Sequence, residues 1–361
     1  MASEQQQQQK ALAITAKGGP WTLIAIPIPE VERGNLLVRV EGAGLNPAHW
    51  KFQTGVVYPA FFGSEGAGTV VEVGEDVTGF EKGDRVLFQG KAGWFNASRN
   101  TFQEYALVDA DLTAKLPQSI SCLQGAAIPI GLTTAAFGLC QAFPDRSDGN
   151  TQARGGAGLK AFWEPGAEGC YAGEGKTILV LGGASVVGQY CIQIARYMGF
   201  SRIIVTASLK HETHLRGLGA THVVDRYADT GASLRTLEDK EGLKLELVFD
   251  AVHAAVTQAE VDLLAPNGTL VSAGPLHDEL LFEGGRRATA IVGSVHIHRE
   301  LGKEMNKRLG GILEAGVIKP VRVEKLSAGL AGVADGLDRM LRGQVSGTKL
   351  VVNPTETRDV V

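Results

Sequence analysis

The stretch from Lys176 to Gly188 reads Lys-Thr-Ile-Leu-Val-Leu-Gly-Gly-Ala-Ser-Val-Val-Gly, and a helix-period segment ending at Gly199 follows at once. A short unbroken apolar run, a glycine-rich turn and an amphipathic segment, in that order, predict a buried parallel strand feeding a crossover helix. The turn also carries a G-x-G-x-x-G pattern at Gly183, Ser185 and Gly188, with serine in the middle position. Glycines let backbone approach a pyrophosphate closely, and free N–H groups at the helix N-terminus receive its charge. The residues expected to cradle it are Gly182, Gly183, Ser185, Val186, Val187 and Gly188.

A second apolar run, Ile203–Ala207, comes at the right spacing and ends in Ser208-Leu-Lys210. The tip of this strand in an NAD-binding unit usually carries Asp or Glu, which accepts from the ribose 2′-hydroxyl. A hydroxyl and an ammonium there attract a 2′-phosphate instead, so Ser208 and Lys210 predict NADPH rather than NADH. The alternative is that Ser208 caps the next helix and Lys210 is a solvated charge.

Strand and helix patterns then alternate. Strands are expected at Thr177–Leu181, Ile203–Ala207, His222–Asp225, Leu245–Asp250, Thr269–Gly274 and Ala290–Ser294. Helices are expected at Gly188–Gly199, His211–Leu218, Leu234–Glu241, Ala255–Leu264 and Leu301–Ala315. This is the pattern of a doubly wound parallel sheet, whose ligand crevice lies at the strand carboxyl ends. Gly183, Ser208, Asp250–His253 and Ser272–Gly274 should gather there.

The first part of the chain differs. Lys10–Thr15, Asn35–Gly42, Gly66–Val73 and Asp84–Phe88 are short β-branched runs between Gly, Pro and Asp turns, which predict a barrel-like β-domain. Helices fit Leu123–Ile128 and Thr133–Cys140. Between Phe143 and Gly175, eight of 33 residues are glycine, yet Phe162, Trp163 and Tyr171 are there too. So long a loop is functional or disordered, and its aromatics predict that part of it packs, as a lid or as a brace. From Val317 to Pro354 the pattern returns to β character and rejoins the first domain. The expected division is a disordered tail over 1–10, a β-domain over 11–130, a nucleotide domain over 131–295 with 143–175 as an insertion, and a return over 296–361.

The length of 361 residues suits two domains, and the net charge of −4 makes no case for nucleic acid or an acidic membrane surface. The four cysteines are scattered without a C-x-x-C pair, as in a reducing compartment. The glutamine-rich start has no apolar core for a secretory signal, and no later stretch reads as long enough to span a bilayer. A cytoplasmic location is the expectation.

Five stretches in order, Asn46-Pro-Ala-His-Trp-Lys51, Gly63-Ser-Glu-Gly-Ala-Gly68 with Val73-Gly-Glu-Asp-Val77, Gly83-Asp-Arg-Val86, Gly182–Gly188 and Gly347–Val352, carry a resemblance to the medium-chain dehydrogenase/reductase superfamily. It covers nearly the whole chain. The Gly182–Gly188 turn and the Asn-Pro-x-x-x-Lys stretch look most like a zinc-free fungal branch that includes trans-acting enoyl reductases of polyketide synthases. The similarity to quinone oxidoreductases and enoyl thioester reductases is more distant. The resemblance implies an α/β fold, a discontinuous GroES-like β-domain plus a Rossmann domain with a doubly wound parallel sheet. It also implies a metal-free site. Asn46 stands where zinc members have a ligating cysteine, Ser64 stands where a ligating histidine precedes Glu65, and the structural zinc lobe is missing.

The same resemblance suggests roles, each beside a plainer reading. Lys51 would place a cation near cofactor or substrate, or is an exposed lysine after a turn. Asn46 would donate from its amide, or forms an Asx-turn before Pro47. Tyr58 would donate a proton, although this chain has one extra residue there; otherwise it is a core or rim tyrosine. His49 replaces an acidic residue and would titrate near neutrality, or is a hydrogen-bonded wall. Thr133 and Thr134 would lie near the nicotinamide, or cap a helix. Arg226 would add a second cation for the 2′-phosphate and Lys349 would approach the cofactor, unless both are ordinary surface cations. His296 and His298 alternate on a strand-like segment without partner ligands and read as structural.

The implied activity is zinc-independent, NADPH-dependent reduction of the C=C bond in an α,β-unsaturated carbonyl (an enone, enal or enoyl thioester). Quinone reduction and a non-catalytic NADPH-binding regulatory role are the alternatives. A small-molecule substrate is expected. A polyketide synthase carrier partner, and the choice of monomer or homodimer, stay open.

Overall fold

A computed structural model of the chain describes residues 7–51, 57–91, 97–145, 154–242, 244–252, 258–276 and 281–358. The chain divides into two compact units, Met1–Ile130 with Val295–Val361, and Gly131–Ser294.

The second unit is built on a six-stranded sheet in the order His222–Asp225, Arg202–Ala207, Thr177–Leu181, Leu245–Asp250, Leu264–Ser272, Arg287–Ala290. Every neighbouring pair is parallel. Thr177–Leu181 is buried along its whole length, as an apolar run without alternation requires when helices cover both faces. The strand order reverses between this strand and Leu245–Asp250, where Asp250 lies beside Leu181. That reversal marks the switch point at which open α/β sheets bind ligands.

The last strand ends at Ala290 rather than running to Ser294. Just beyond it the backbone presses on Thr134, so closely that a Cβ on Gly293 would meet Thr134 Oγ1 at 1.9 Å. His296 and His298 accordingly lie on a turn before the helix Arg299–Glu314, not on a strand.

Residues 154–175 of the insertion contain no helix or strand but are packed as a ledge on their own unit rather than standing off as a lid. Phe162 and Trp163 are buried, and the Trp163 ring meets Phe137 edge-on at 6.2 Å. Backbone N–H groups of Ala157 and Leu159 donate to Gly138 and Leu139 carbonyls, and Tyr171 N–H donates to Met198. Glycines supply the turns and aromatics supply the buried area that holds them.

In the first unit a seven-stranded sheet has the order Val323–Lys325, Lys349–Val352, Asn35–Gly44, Glu65–Val73, Arg85–Gln89, Thr113–Lys115, with Tyr105–Asp109 pairing on Asn35–Gly44. A three-stranded sheet of Trp21–Pro27, Gln8–Ile14 and Ala60–Phe61 shares its core, where Leu12, Val38, Phe62, Phe88, Phe102 and Leu350 are buried. The first strand starts inside the segment expected to be a disordered tail. Gln9 is buried there because its Oε1 accepts the Tyr105 N–H at 2.7 Å.

The C-terminal region is not β throughout, since Val333–Leu341 is a helix. Val333 and Leu337, four residues apart, bury one face, and Gly336 lets it approach so closely that a Cβ there would meet Leu326 and Leu45 side chains at 2.4 and 2.7 Å.

One expectation about membranes is corrected. The helical stretch Cys122–Cys140 is long and apolar enough to cross a bilayer by length and composition, but 83% of its apolar window is buried inside the protein, as in a core helix.

Candidate functional site

Three strand ends in the first unit meet at a buried polar cluster. Ala43 pairs with Gly66 and Gly44 with Val351, which brings the Asn46 turn, Ser64-Glu65 and Lys349 together. Gly44 is needed for this approach, since a Cβ there would lie 2.9 Å from both Glu65 Oε1 and Lys349 Cε.

Lys349 Nζ sits 2.5 Å from Glu65 Oε1 and 2.6 Å from Asn46 Oδ1. The other Glu65 oxygen accepts the Ile130 N–H at 2.8 Å. Asn46 Nδ2 donates to Glu65 Oε1 at 2.7 Å and to Ser64 Oγ at 3.2 Å. Both amide hydrogens are thereby used, so Asn46 orients its neighbours and has none left for a substrate oxygen. The charge of Lys349 is neutralised by Glu65 rather than held ready for a nucleotide.

His49 is fully buried, with its ring edge-on to Phe102 at 4.7 Å. Its Nδ1 accepts the Asn46 N–H at 3.1 Å, which leaves the ring hydrogen on Nε2 to donate to Ser64 Oγ at 3.1 Å. Burial, with the Lys349 charge second, pushes its pKa down to about 3. The expectation of titration near neutrality is therefore overturned, because an imidazolium here would lose its solvent and face an ammonium.

A zinc ion does not fit this donor set. The Glu65 carboxylate already holds an ammonium and two N–H groups, and the lone pair of His49 is taken by a backbone N–H. Catalytic zinc needs three free ligand lone pairs around it. Among the described residues no group of three or more His, Cys, Asp or Glu is placed to hold a metal ion.

Lys51 is exposed at the end of the short helix Ala48–Lys51. Tyr58 is half-buried and packs against the core of the first unit. Gly55 and Val56, the residues of its stretch that set the register, lie outside the described residues, as does His253.

The second unit holds the glycine-rich turn. Gly182 has φ +77°, and Ser185 caps the helix Val186–Tyr197 by accepting the Gly188 N–H on its Oγ at 3.0 Å. This explains the serine in the middle of the fingerprint, where a side-chain cap organises the helix start. Val186 and Val187 form the first turn, whose N–H groups have no carbonyl four residues back within the helix. Gly188 packs on the turn itself, with room for no Cβ, which would lie 2.4 Å from the Gly182 oxygen.

At the next strand end, Ala207 pairs with Asp225, and the Arg226 N–H donates to the Ala207 carbonyl. Ser208, Lys210 and Arg226 therefore leave the sheet at one edge. Ser208 occupies a cap position, yet its side chain makes no cap hydrogen bond. Lys210 is exposed, and the Arg226 guanidinium lies over the exposed Tyr227 ring at 4.6 Å. Asp250, buried at the switch point, accepts from Val252 N–H at 3.1 Å and from Ser272 Oγ at 3.2 Å.

Thr133 and Thr134 lie in the helix Pro129–Cys140 and are both buried. Two residues earlier, Gly131 packs on the fingerprint helix, since a Cβ there would meet Val186 Cγ1 at 2.5 Å. Thr133 Oγ1 is buried without a hydrogen-bond partner. A buried orphan hydroxyl is costly and is kept where something else completes its bonding. With the glycine cradle, it makes the second unit a fit for a dinucleotide carrying a terminal amide.

Glu65 and Ser64 were not singled out as site residues from sequence, where Ser64 registered only as a missing ligand. Their signal was the Asn46-x-x-His49 spacing, which sets two polar side chains facing one strand end.

Comparison with known proteins matches residues 32–118 to the alcohol dehydrogenase GroES-like domain and residues 186–306 to the zinc-binding dehydrogenase family. A chloroplastic quinone-oxidoreductase homolog of Spinacia oleracea is 30% identical over 225 residues, and the match spans only 60% of each chain. A trans-enoyl reductase of a Penicillium species is 27% identical over 366 residues, covering 95% of this chain and 97% of the relative. The crystal structure of an alcohol dehydrogenase superfamily protein from Novosphingobium aromaticivorans aligns with a TM-score of 0.75 at 24% identity, covering 96% of this chain and 99% of that one. The last likeness is one of fold.

Proposed function

This chain belongs to the medium-chain dehydrogenase/reductase superfamily and is an oxidoreductase of that kind, and we propose that it reduces the C=C bond of an α,β-unsaturated carbonyl compound without zinc, using NADPH. The observation that carries this reading is the Lys349–Glu65–Asn46 network. An ammonium occupies the carboxylate at 2.5 Å, and no metal is needed to balance it. Oxidation of a simple alcohol profits from a Lewis acid at the oxygen. A conjugated alkene does not need one, since charge arriving at its β-carbon spreads onto the carbonyl oxygen.

Bound to the second unit, NADPH supplies the hydride. The amides of Val186 and Val187 and the glycines Gly182, Gly183 and Gly188 would hold its pyrophosphate, with Ser185 fixing the turn. Ser208, Lys210 and Arg226 would hold the 2′-phosphate, and the orphan Thr133 hydroxyl would bond the terminal amide. Tyr58 or solvent would protonate the α-carbon. The full-length similarity to a trans-enoyl reductase supports an enoyl thioester among the candidate substrates.

The test is oxidation of NADPH and of NADH against matched enone, enoyl thioester and quinone panels, with product analysis. Saturated product with NADPH preference supports the reading. The similarity to a quinone-oxidoreductase homolog favours a second one, quinone reduction. Turnover of quinones alone would establish it and remove the first.

A further inference from the structure

Building on that reading, we propose that Ser64 is the hydrogen-bond donor to the carbonyl oxygen of the substrate.

The argument is one of hydrogen-bond direction. Ser64 Oγ receives two donors, Asn46 Nδ2–H at 3.2 Å and His49 Nε2–H at 3.1 Å. Neither can turn round. Asn46 Oδ1 faces the Lys349 ammonium at 2.6 Å, so its amide hydrogens must point towards Glu65 and Ser64. His49 Nδ1 faces the Asn46 N–H, so its only ring hydrogen is on Nε2. A hydroxyl has two lone pairs and one hydrogen. With both lone pairs used, Ser64 has only its hydrogen left to give.

Exposure points the same way. Asn46, His49, Glu65 and Lys349 are all buried, with His49 and Glu65 at 0%, whereas Ser64 is half-buried. Ser64 is thus where this network meets the outside. The hydrogen bonds also run in one sense, from the Lys349 cation through the Asn46 amide to the Ser64 oxygen and out through its hydrogen. Aligned bonds of this kind strengthen one another, and a hydroxyl that accepts twice is a better donor.

An oxygen gaining negative charge is the partner such a donor suits. When hydride adds to the β-carbon, the alkene electron pair shifts to form the enolate, and the carbonyl oxygen takes the charge. The Ser64 O–H bond stays intact and its hydrogen bond shortens. The hydroxyl is held before the reaction starts, so no reorganisation is needed in the transition state.

The experiment compares wild type, Ser64→Ala and Ser64→Thr, each checked for unchanged thermal unfolding and NADPH affinity. With 2-cyclohexenone and NADPH, Ser64→Ala should lose about 100-fold or more in kcat, and Ser64→Thr should recover most of it. A second measurement needs no turnover. The infrared carbonyl stretch of 2-cyclohexenone bound with NADP+ should move to lower frequency in wild type and Ser64→Thr, and return towards its unbonded value in Ser64→Ala. Wild-type turnover and carbonyl shift in Ser64→Ala overturn the Ser64 assignment while leaving the enone reading intact. A wild-type enzyme that neither binds nor reduces enones or enoyl thioesters removes both.

Discussion

Lys349 Nζ lies 2.5 Å from Glu65 Oε1 with both side chains buried, at 3% and 0% exposure. Two residues far apart in the sequence thus form one ion pair, joined through the pairing of Lys349–Val352 with Asn35–Gly44 and of the latter with Glu65–Val73.

Removing one partner of a buried pair strands the other charge. Lys349→Met should therefore destabilise the protein by about 3–5 kcal/mol. The double variant Lys349→Met/Glu65→Leu should recover a large part of that. Urea unfolding of the two variants checks this, and equal losses would show that the charge is not the cause.

His49 predicts a pH dependence. In the unfolded chain its imidazole protonates near 6.5, whereas in the folded protein it does so only near 3. Between those values unfolding takes up a proton at this site. Its contribution to stability is thus complete above 6.5 and falls as pH drops towards 3, by up to about 1.4 kcal/mol per pH unit. Near pH 5, wild type should take up about one proton more on unfolding than His49→Gln. Calorimetry in buffers of different ionisation enthalpy measures the difference.

Gly188 has no space for a side chain. A Cβ would meet the Gly182 oxygen at 2.4 Å and Gly183 Cα at 2.9 Å, both backbone atoms. Gly188→Ala should cost about 1–3 kcal/mol and open the turn. NADPH affinity should fall at least about tenfold, since each 1.4 kcal/mol is a factor of ten. Fluorescence titration with NADPH reads this directly.

The proposed preference for NADPH assigns the 2′-phosphate to Lys210 and Arg226. Lys210→Glu and Arg226→Glu should each weaken NADPH by about ten- to a hundredfold, the worth of one charge-assisted contact. NADH should change little. Equal losses for both nucleotides would take the 2′-phosphate away from this edge of the sheet.

The second unit was the more legible part of the chain. Thr177–Leu181, His222–Asp225 and Leu245–Asp250 are strands with the predicted bounds. Thr177–Leu181 and most of Leu245–Asp250 are buried parallel strands, whose apolar run local sequence displays in full, while the partly buried edge strand His222–Asp225 showed in the regular alternation of strand and helix. The helix Val333–Leu341 was missed, since its apolar face is set by only a few residues between two β-branched stretches. The end of Arg287–Ala290 was misplaced because the contact of Gly293 with Thr134 is invisible along the chain.

Sequence alone determined the alternation of strand and helix, the glycine turn and the family resemblance, all of which depend on residues near one another. The tertiary structure decided the bonding of Asn46, His49, Ser64, Glu65 and Lys349. Their protonation and donor direction depend on which distant neighbour takes each lone pair and how far water is excluded. That is why His49, read as a group titrating near neutrality, is instead a neutral donor, and why Ser64, read as an absent ligand, is the hydroxyl left with a hydrogen to give.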